Sequence, residues 1–278
     1  MSPRARARAT DLLVDAVLAG VSLVMLLPLL FLLGNAFKTA PELLSWPPTV
    51  LPREPTLDNL RAVLAETPVP RWLWNSLVFA LLSTVAVTAT SAVSGYVFAK
   101  FRFASLTALF AVFLATAIVP FEVYMIPLFF RVQSLGLLNT TAGLLLGYLV
   151  MSFGIFLIRQ NVLASIPDEL LDAARIDGAG EARIMVQVVL PLLRAPLGAL
   201  AVMAFFQAWT AFTWPLLVAT TAESYTVEVG LALFQTGFTV DLGRLSAASA
   251  LVLLPSVTVF ALLRRSFVQG VAASGLKE

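Results

Sequence analysis

Residues 168–194 read DELLDAARIDGAGEARIMVQVVLPLLR, and they differ from the sequence on either side. These 27 residues carry eight charges, at Asp168, Glu169, Asp172, Arg175, Asp177, Glu181, Arg183 and Arg194, between the uncharged runs 132–158 and 195–222. A bilayer core rejects that density of charge, whereas an apolar run of about 18 residues or more is long enough to cross it. The island is therefore a water-side segment between spans. Pro167 suits the first turn of a helix, and Asp168 and Glu169 favour its positive end. Leu170, Ala173, Ala174 and Asp177 keep helical spacing, and Gly178 permits a turn that a bulkier residue would resist. A second helical stretch over 181–189 leads to Leu190-Pro191, where the next span begins. The pattern predicts helix, turn, helix, with Ala173 and Ala174 leaving room for a partner's surface.

Composition carries the same class through the whole chain. Of 278 residues, 59% are hydrophobic and 12% charged, against about 25% charged in soluble domains. The chain is an all-α polytopic membrane protein. With no Cys and no His, it lacks disulfides, thiol chemistry, Cys/His metal sites, imidazole catalysis and a Cys-linked lipid anchor. Its lysines are Lys38, Lys100 and Lys277, none followed by Ser or Thr after a Gly-rich turn, so no ATP-binding P-loop is present. Uphill transport would draw its energy from another subunit or from an ion gradient.

Taken in order, Arg4, Arg6 and Arg8 precede 22 uncharged residues, 16–37. A cleaved signal peptide is the competing reading, but its apolar region is typically about 7–15 residues; a retained first helix is expected. Residues 38–71 hold seven of the 16 prolines, which rules out one continuous helix and predicts an external loop. Within it, Leu57, Leu60, Val63 and Leu64 mark a short amphipathic helix at the membrane surface over 55–66, with Thr56 or Asp58 as its cap. Five further runs bring the expected spans to six, at about 13–37, 72–98, 104–130, 136–158, 194–220 and 245–264, with a water-side loop at 165–191. With both termini inside, the inner segments hold twelve Lys and Arg and the outer ones six, which supports an N-in, C-in topology.

The island also carries a resemblance. Asp172-Ala173-Ala174, Gly178 and then Val188-x-Leu190-Pro191 resemble the Glu-Ala-Ala signature of permease subunits of ATP-binding-cassette importers, with Asp for Glu and Val for Ile. The longer IPDELLDAARIDGA resembles the carbohydrate branch, the maltose or glycerol-3-phosphate type. NSL at 75–77, KFRF at 100–103, IVPFEVYMIPL, GLLNTTAGLLL and RRSFVQG fit it too, whereas Trp209-Thr210 departs from a Trp-Asn common on the fifth span. The resemblance implies a type I importer permease fold with a cytoplasmic coupling helix between helices 4 and 5, in the cytoplasmic membrane of a prokaryote. It implies a second homologous permease, an ATPase dimer that holds ATP and Mg, an extracytoplasmic solute-binding protein and membrane lipids as partners. No cofactor in this chain, no enzymatic activity and no nucleic-acid partner are expected. Glu169, Asp172, Ala173, Ala174, Asp177, Gly178 and Ala179 are the ATPase-docking candidates.

Other residues invite two readings each. Gly143 and Gly147 form a small-xxx-small face, for close helix packing or a permease–permease contact. Glu122 is a carboxylate within an apolar run, an outer vestibule or binding-protein contact, or a partner of Arg131. Gln207, Trp209 and Thr210 on the fifth span, with Tyr148 and Ser152 one turn apart on the fourth, combine aromatic faces with amides and hydroxyls, as a solute pathway requires. An aromatic belt is the plainer reading, and Trp214 fits it better. An ion-coupled secondary transporter would show several intramembrane charges and inverted repeats, and an embedded enzyme would need an acid–base pair or nucleophile; neither pattern is found. The lack of Lys or Arg within the spans favours a neutral sugar over an anionic, glycerol-3-phosphate-like solute.

Overall fold

A computed structural model describes the backbone of residues 3–233 and 241–275 and the side chains of residues 12–103, 105–232 and 241–262. The side chains of Arg4, Arg6, Arg8, Arg264, Arg265 and Lys277, which entered the charge balance, and those of the stretch RRSFVQG are not described. Among the described residues all regular structure is helical. The order is α1 (Pro3–Ala36), α2 (Ala40–Leu43), α3 (Asp58–Glu66), α4 (Val69–Lys100), α5 (Ala104–Thr116), α6 (Phe121–Ser134), α7 (Thr141–Leu146), α8 (Ser152–Ser165) and α9 (Asp168–Ile176). Then follow α10 (Glu181–Ile184), a π-helical turn (Met185–Val189), α11 (Leu190–Leu192), α12 (Arg194–Trp209), α13 (Thr213–Val218), α14 (Val227–Leu233) and α15 (Leu242–Gly275). The chain divides into two compact units, Met1–Pro70 with Leu231–Leu254 and Arg71–Gly230 with Pro255–Glu278.

In the first unit, the apolar α1 ends in a polar knot. The buried Lys38 ammonium donates to Asn35 Oδ1 (2.7 Å) and to the Thr49 carbonyl, 4.9 Å above the Phe31 ring. Asn59 Nδ2 donates to the Lys38 carbonyl at 2.8 Å. Buried polar groups need such partners, and here they fold the Pro-rich segment onto the end of α1. The amphipathic helix exists as α3. It starts at Asp58 with Leu57 in the cap position, and Thr56 Oγ1, one residue earlier, accepts from the Asp58 N–H at 3.1 Å.

Leu12–Ala36, Val69–Lys100 and Leu242–Leu262 are long and apolar enough to cross a membrane. Two bent pairs raise the candidates to five, Ser105–Thr116 with Phe121–Ser134 at 99° and Glu181–Leu192 with Arg194–Trp209 at 81°. The stretches 104–130, 136–158 and 194–220, each expected as one span, are each broken, the last at 210–212 between α12 and α13. Pro120 cannot donate to the preceding turn and is extended (ψ 142), so α6 starts afresh after it. Over 136–158, Asn139 is left-handed (φ 62) and Gly147 ends the six-residue α7, so Tyr148 sits in a non-helical connection before Ser152 opens α8. The two are not one turn apart on a helix. In the π-turn Leu190 N–H bonds five residues back to Met185 O, and Pro191 follows without a donor.

Tight packing replaces helix continuity at these breaks. A Cβ at Gly143 would overlap the Leu137 carbonyl, and one at Gly147 would come within 2.9 Å of the Trp214 indole. The glycine pair thus serves packing within the chain. Trp214 is buried, not interfacial: its Nε1 donates to Leu144 O at 3.0 Å and its ring meets Phe121 at 5.8 Å.

Candidate functional site

The charged island folds as helix, turn, helix, as its spacing predicts. α9 is amphipathic. Leu171 is 1% exposed and Ala174 half-buried, whereas Glu169, Asp172, Ala173 and Ile176 face out. Leu171 and Ile176 are five residues apart, about 140° around a helix, and Ile176 is 86% exposed. The turn closes with three hydrogen bonds. Asp177 N donates to Ala173 O, Gly178 N to Arg175 O and Ala179 N to Ala174 O, all at 3.0 Å, and Gly178 takes φ +81°. The last two bonds and the left-handed glycine make a Schellman cap. Ala174 and Ala179, at its two ends, both pack on one apolar core. That core joins Leu171, Ile184, Val189 and Leu193 of the loop to Val87 and Tyr96 of α4, Ile158 and Val162 of α8, and Leu200 of α12. The loop packs into the second unit through this core.

Charges fix its register. Arg175 bridges the two arms, Nη1 to Asp172 Oδ1 at 2.8 Å and Nε to Glu181 Oε1 at 2.9 Å. Two residues at the end of α4 tether one arm each. Tyr96 Oη donates to Glu181 Oε2 at 2.9 Å, and Lys100 Nζ donates to the Ile166 carbonyl and to Asp168 Oδ1 at 2.5 Å. The Lys100 ammonium holds the Asp168 carboxyl below its ordinary value of 3.8, with Arg102 and Arg175 adding smaller pulls. The carboxylates of these pairs face water, where ion pairs add little to stability, so the apolar seat, not the ion pairs, holds the loop down. Tyr96, Lys100, Glu181 and Ile176 were not among the sequence candidates. Ile176 was readable as the apolar residue on the wrong face of α9, but the α4 tethers span 66 to 85 positions and leave no local signal.

The other candidates scatter. Gln207 is exposed; Thr210 is exposed with its hydroxyl donating to Phe206 O at 2.8 Å. Trp209 is 2% exposed, stacked on Phe205 at 5.6 Å and 12°, facing the interior of its own unit. Tyr148 is half-buried with its ring edge-on to Phe79 at 5.2 Å, and Ser152 Oγ lies 2.9 Å from Thr116 Oγ1. Glu122 is exposed in the first turn of α6; it does not pair with Arg131, nine residues and about 13 Å of helix away.

At the end of α4 remote from Lys100, a polar cleft of about 340 Å³ is lined by Arg71, Asn75, Asn139, Thr141, Thr221 and Glu223. Asn139 Oδ1 accepts from the amides of Thr220 (2.6 Å) and Thr221 (3.1 Å), and Asn75 Nδ2 donates to the carbonyls of Glu223 and Tyr225. Trp72 Nε1 adds a bond to Ala222 O at 2.7 Å. These bonds pin the segment between α13 and α14. Sequence reading passed over it because short polar residues in a joint carry no periodicity.

A charged loop packed between apolar helices is matched by sequence relationships. Residues 91–273 fit the family model described as "Binding-protein-dependent transport system inner membrane component". The chain belongs to that family. The permease is 32% identical over 263 residues to the arabinooligosaccharides transport system permease protein AraQ of Halalkalibacterium halodurans, covering 93% of this chain and 94% of that one. It is 30% identical to the lactose transport system permease protein LacG of Rhizobium radiobacter, with 97% of each covered. It is 32% identical to the sn-glycerol-3-phosphate transport system permease protein UgpE of Yersinia pestis, with 96% and 98% covered. Its fold matches a chain of a bacterial ABC transporter involved in the import of the acidic polysaccharide alginate, with TM-score 0.81 at 20% identity over 94% of this permease and 98% of that chain. The permease is thus a multi-pass inner-membrane transport subunit of type I importer fold. Its family works with a binding protein outside and an ATPase.

Proposed function

We propose that this permease pairs with a second, homologous permease in an importer of a neutral sugar or oligosaccharide, and that the loop at 165–191 is the docking element for the ATPase. The observation that carries the docking role is the two-faced α9: a buried Leu171 seats it, while Ile176, on its far side, offers an apolar surface to water. Apolar groups held out on a rigid mount are what a partner covers. Ile176 joins Glu169, Asp172, Ala173 and Asp177 on the exposed face. Gly178 shapes it, and Ala174 and Ala179 anchor it.

In this reading six spans cross the membrane with both termini inside, and ATP and Mg are held by the ATPase. A push on α9 passes through Lys100 and Tyr96 into α4, and so switches the spans between inward and outward access. Gln207, Trp209, Thr210, Tyr148 and Ser152 belong to the solute route, Gln207 and Thr210 by their exposure and Trp209 by supporting Phe205. Glu122 faces the outer vestibule. The arabinooligosaccharide and lactose relatives support a sugar; the sn-glycerol-3-phosphate relative supports a second reading, a phosphorylated polyol.

The test is affinity purification of the tagged chain from solubilised native membranes, followed by reconstitution with its binding protein and uptake of labelled lactose, arabinooligosaccharide or glycerol-3-phosphate. A P-loop ATPase and a second permease are expected to co-purify. Ala173→Arg, which disturbs only the exposed face, should lose the ATPase and keep the permease. If the chain purifies alone and still moves solute without ATP, an ion-coupled transporter replaces the proposal.

A further inference from the structure

Beside the docking loop, near the Lys100 end of α4, the second unit contains a cavity of about 390 Å³. Phe98, Phe101, Phe103 and Phe110 wall it, and Arg102 and Arg159 supply its charge; no carboxylate lines it. The aromatic wall is built, not accidental: Phe98 meets Phe110 at 5.4 Å and Phe113 at 5.7 Å, and Phe101 stacks on Phe103 at 6.4 Å. Arg159 is fixed in place, its guanidinium carbon 4.3 Å over the Phe110 ring and its Nε donating to Phe98 O at 3.1 Å. That leaves both Nη groups for another acceptor, and among the described residues no carboxylate pairs with it. Arg102 is 92% exposed and reaches Asp168 only at 3.9 Å, a carboxylate that Lys100 already holds at 2.5 Å.

One guanidinium with no carboxylate partner among the described residues, beside another that shares Asp168 with Lys100, leaves positive charge for a negative ligand, and planar forks of this kind suit phosphate. The surroundings say which phosphate. Next to the cavity, α5 presents Leu109 and Val112 to the outside, 47% and 59% exposed, and Phe103 at its start is 62% exposed. A soluble anion has no use for such a face, whereas a lipid places its chains along it and its headgroup among arginines and aromatic rings at the membrane boundary.

We infer that this cavity holds the headgroup phosphate of an anionic phospholipid, with the acyl chains lying on the exposed face of α5. Because Arg102 is shared between the cavity and Asp168, the first residue of α9, the lipid draws Arg102 away from the docking loop and leaves Asp168 to Lys100. The membrane's anionic lipid content then acts on the element proposed to receive the ATPase. The site itself rests only on the membrane placement of the chain, not on the docking role.

The experiment measures binding of spin-labelled phosphatidylglycerol against spin-labelled phosphatidylcholine to the purified, intact transporter. Arg102→Gln, Arg159→Gln and the double variant are compared with Arg183→Gln, an exposed loop arginine outside the cavity. The preference for phosphatidylglycerol is expected to fall about fivefold for each cavity arginine removed, and to stay at the wild-type level in the Arg183 variant. Arg159 also supports Phe98, so Arg102→Gln carries the test if the other variants fail to assemble. An unchanged preference in Arg102→Gln overturns the inference. So does displacement of the bound lipid by inorganic phosphate at equal ionic strength, which would make this a soluble-anion site. Retained lipid preference in a chain that never captures an ATPase would instead overturn only the docking reading.

Discussion

Ile176→Ala separates what holds the loop from what the loop holds. The side chain is 86% exposed in the isolated chain, so its removal disturbs almost nothing inside it. Against a docked partner the same side chain would be covered. Alanine lacks three of its carbons, and at about 0.8 kcal/mol for each buried methylene their loss amounts to about 2 kcal/mol, or roughly thirtyfold in Kd. Leu171→Ala is the mirror experiment: Leu171 is 1% exposed, and truncating a leucine in such a core costs about 2–5 kcal/mol of stability. The assay titrates purified ATPase against the permease pair in lipid nanodiscs, with thermal unfolding followed on the same samples. Ile176→Ala is expected to weaken binding about thirtyfold with an unchanged unfolding midpoint, and Leu171→Ala to lower the midpoint by about 4 °C or more. Wild-type affinity in Ile176→Ala, or a midpoint that falls as far as that of Leu171→Ala, refutes the two-faced reading of α9.

Further outcomes follow from the same geometry. Gly178 takes φ +81° with open space where a Cβ would project, so backbone strain alone penalises a replacement, by about 1–2 kcal/mol for an ordinary L-residue. Gly178→Asn should keep the ATPase in a pull-down while Gly178→Val loses it, and equal loss in both would mean that the partner's surface excludes the Cβ. Asp168 titrates below its ordinary value of 3.8, so its tether to Lys100 adds stability above that pH and loses it as pH falls through the still lower folded value. The mobility of a spin label at Ala173, on the arm that Asp168 opens, should therefore stay flat from about pH 8 to 5 and rise only once pH falls below 3.8; a rise near neutrality would contradict the tether. Trp214→Phe removes the buried donor to Leu144 O and should cost about 1–3 kcal/mol, read as a lowered unfolding midpoint with ATPase binding intact.

How far the sequence reaches depends on the range of the physics. The membrane class, the helical content and the helix-turn-helix loop are local matters. Uncharged runs report spans, and the order Ala174, Gly178, Ala179 is a Schellman cap written in three residues. The break at Pro120 was also written in the chain, as a proline inside an apolar run, but hydropathy alone counts a kinked run as one helix.

The sequence by itself determined a polytopic membrane chain with one charged loop between apolar runs, because charge and apolar length act within a single segment. Only the tertiary structure decided which face of that loop is free. It seated Leu171 and Ile184 on α8 and α12, tied Glu181 and Asp168 to Tyr96 and Lys100, and turned Trp209 and Trp214 inward. It also brought Arg102 and Arg159, 57 positions apart, into one aromatic cavity. These arrangements depend on contacts between residues far apart in the chain, and a period of 3.6 residues along one helix says nothing about which neighbour will cover it.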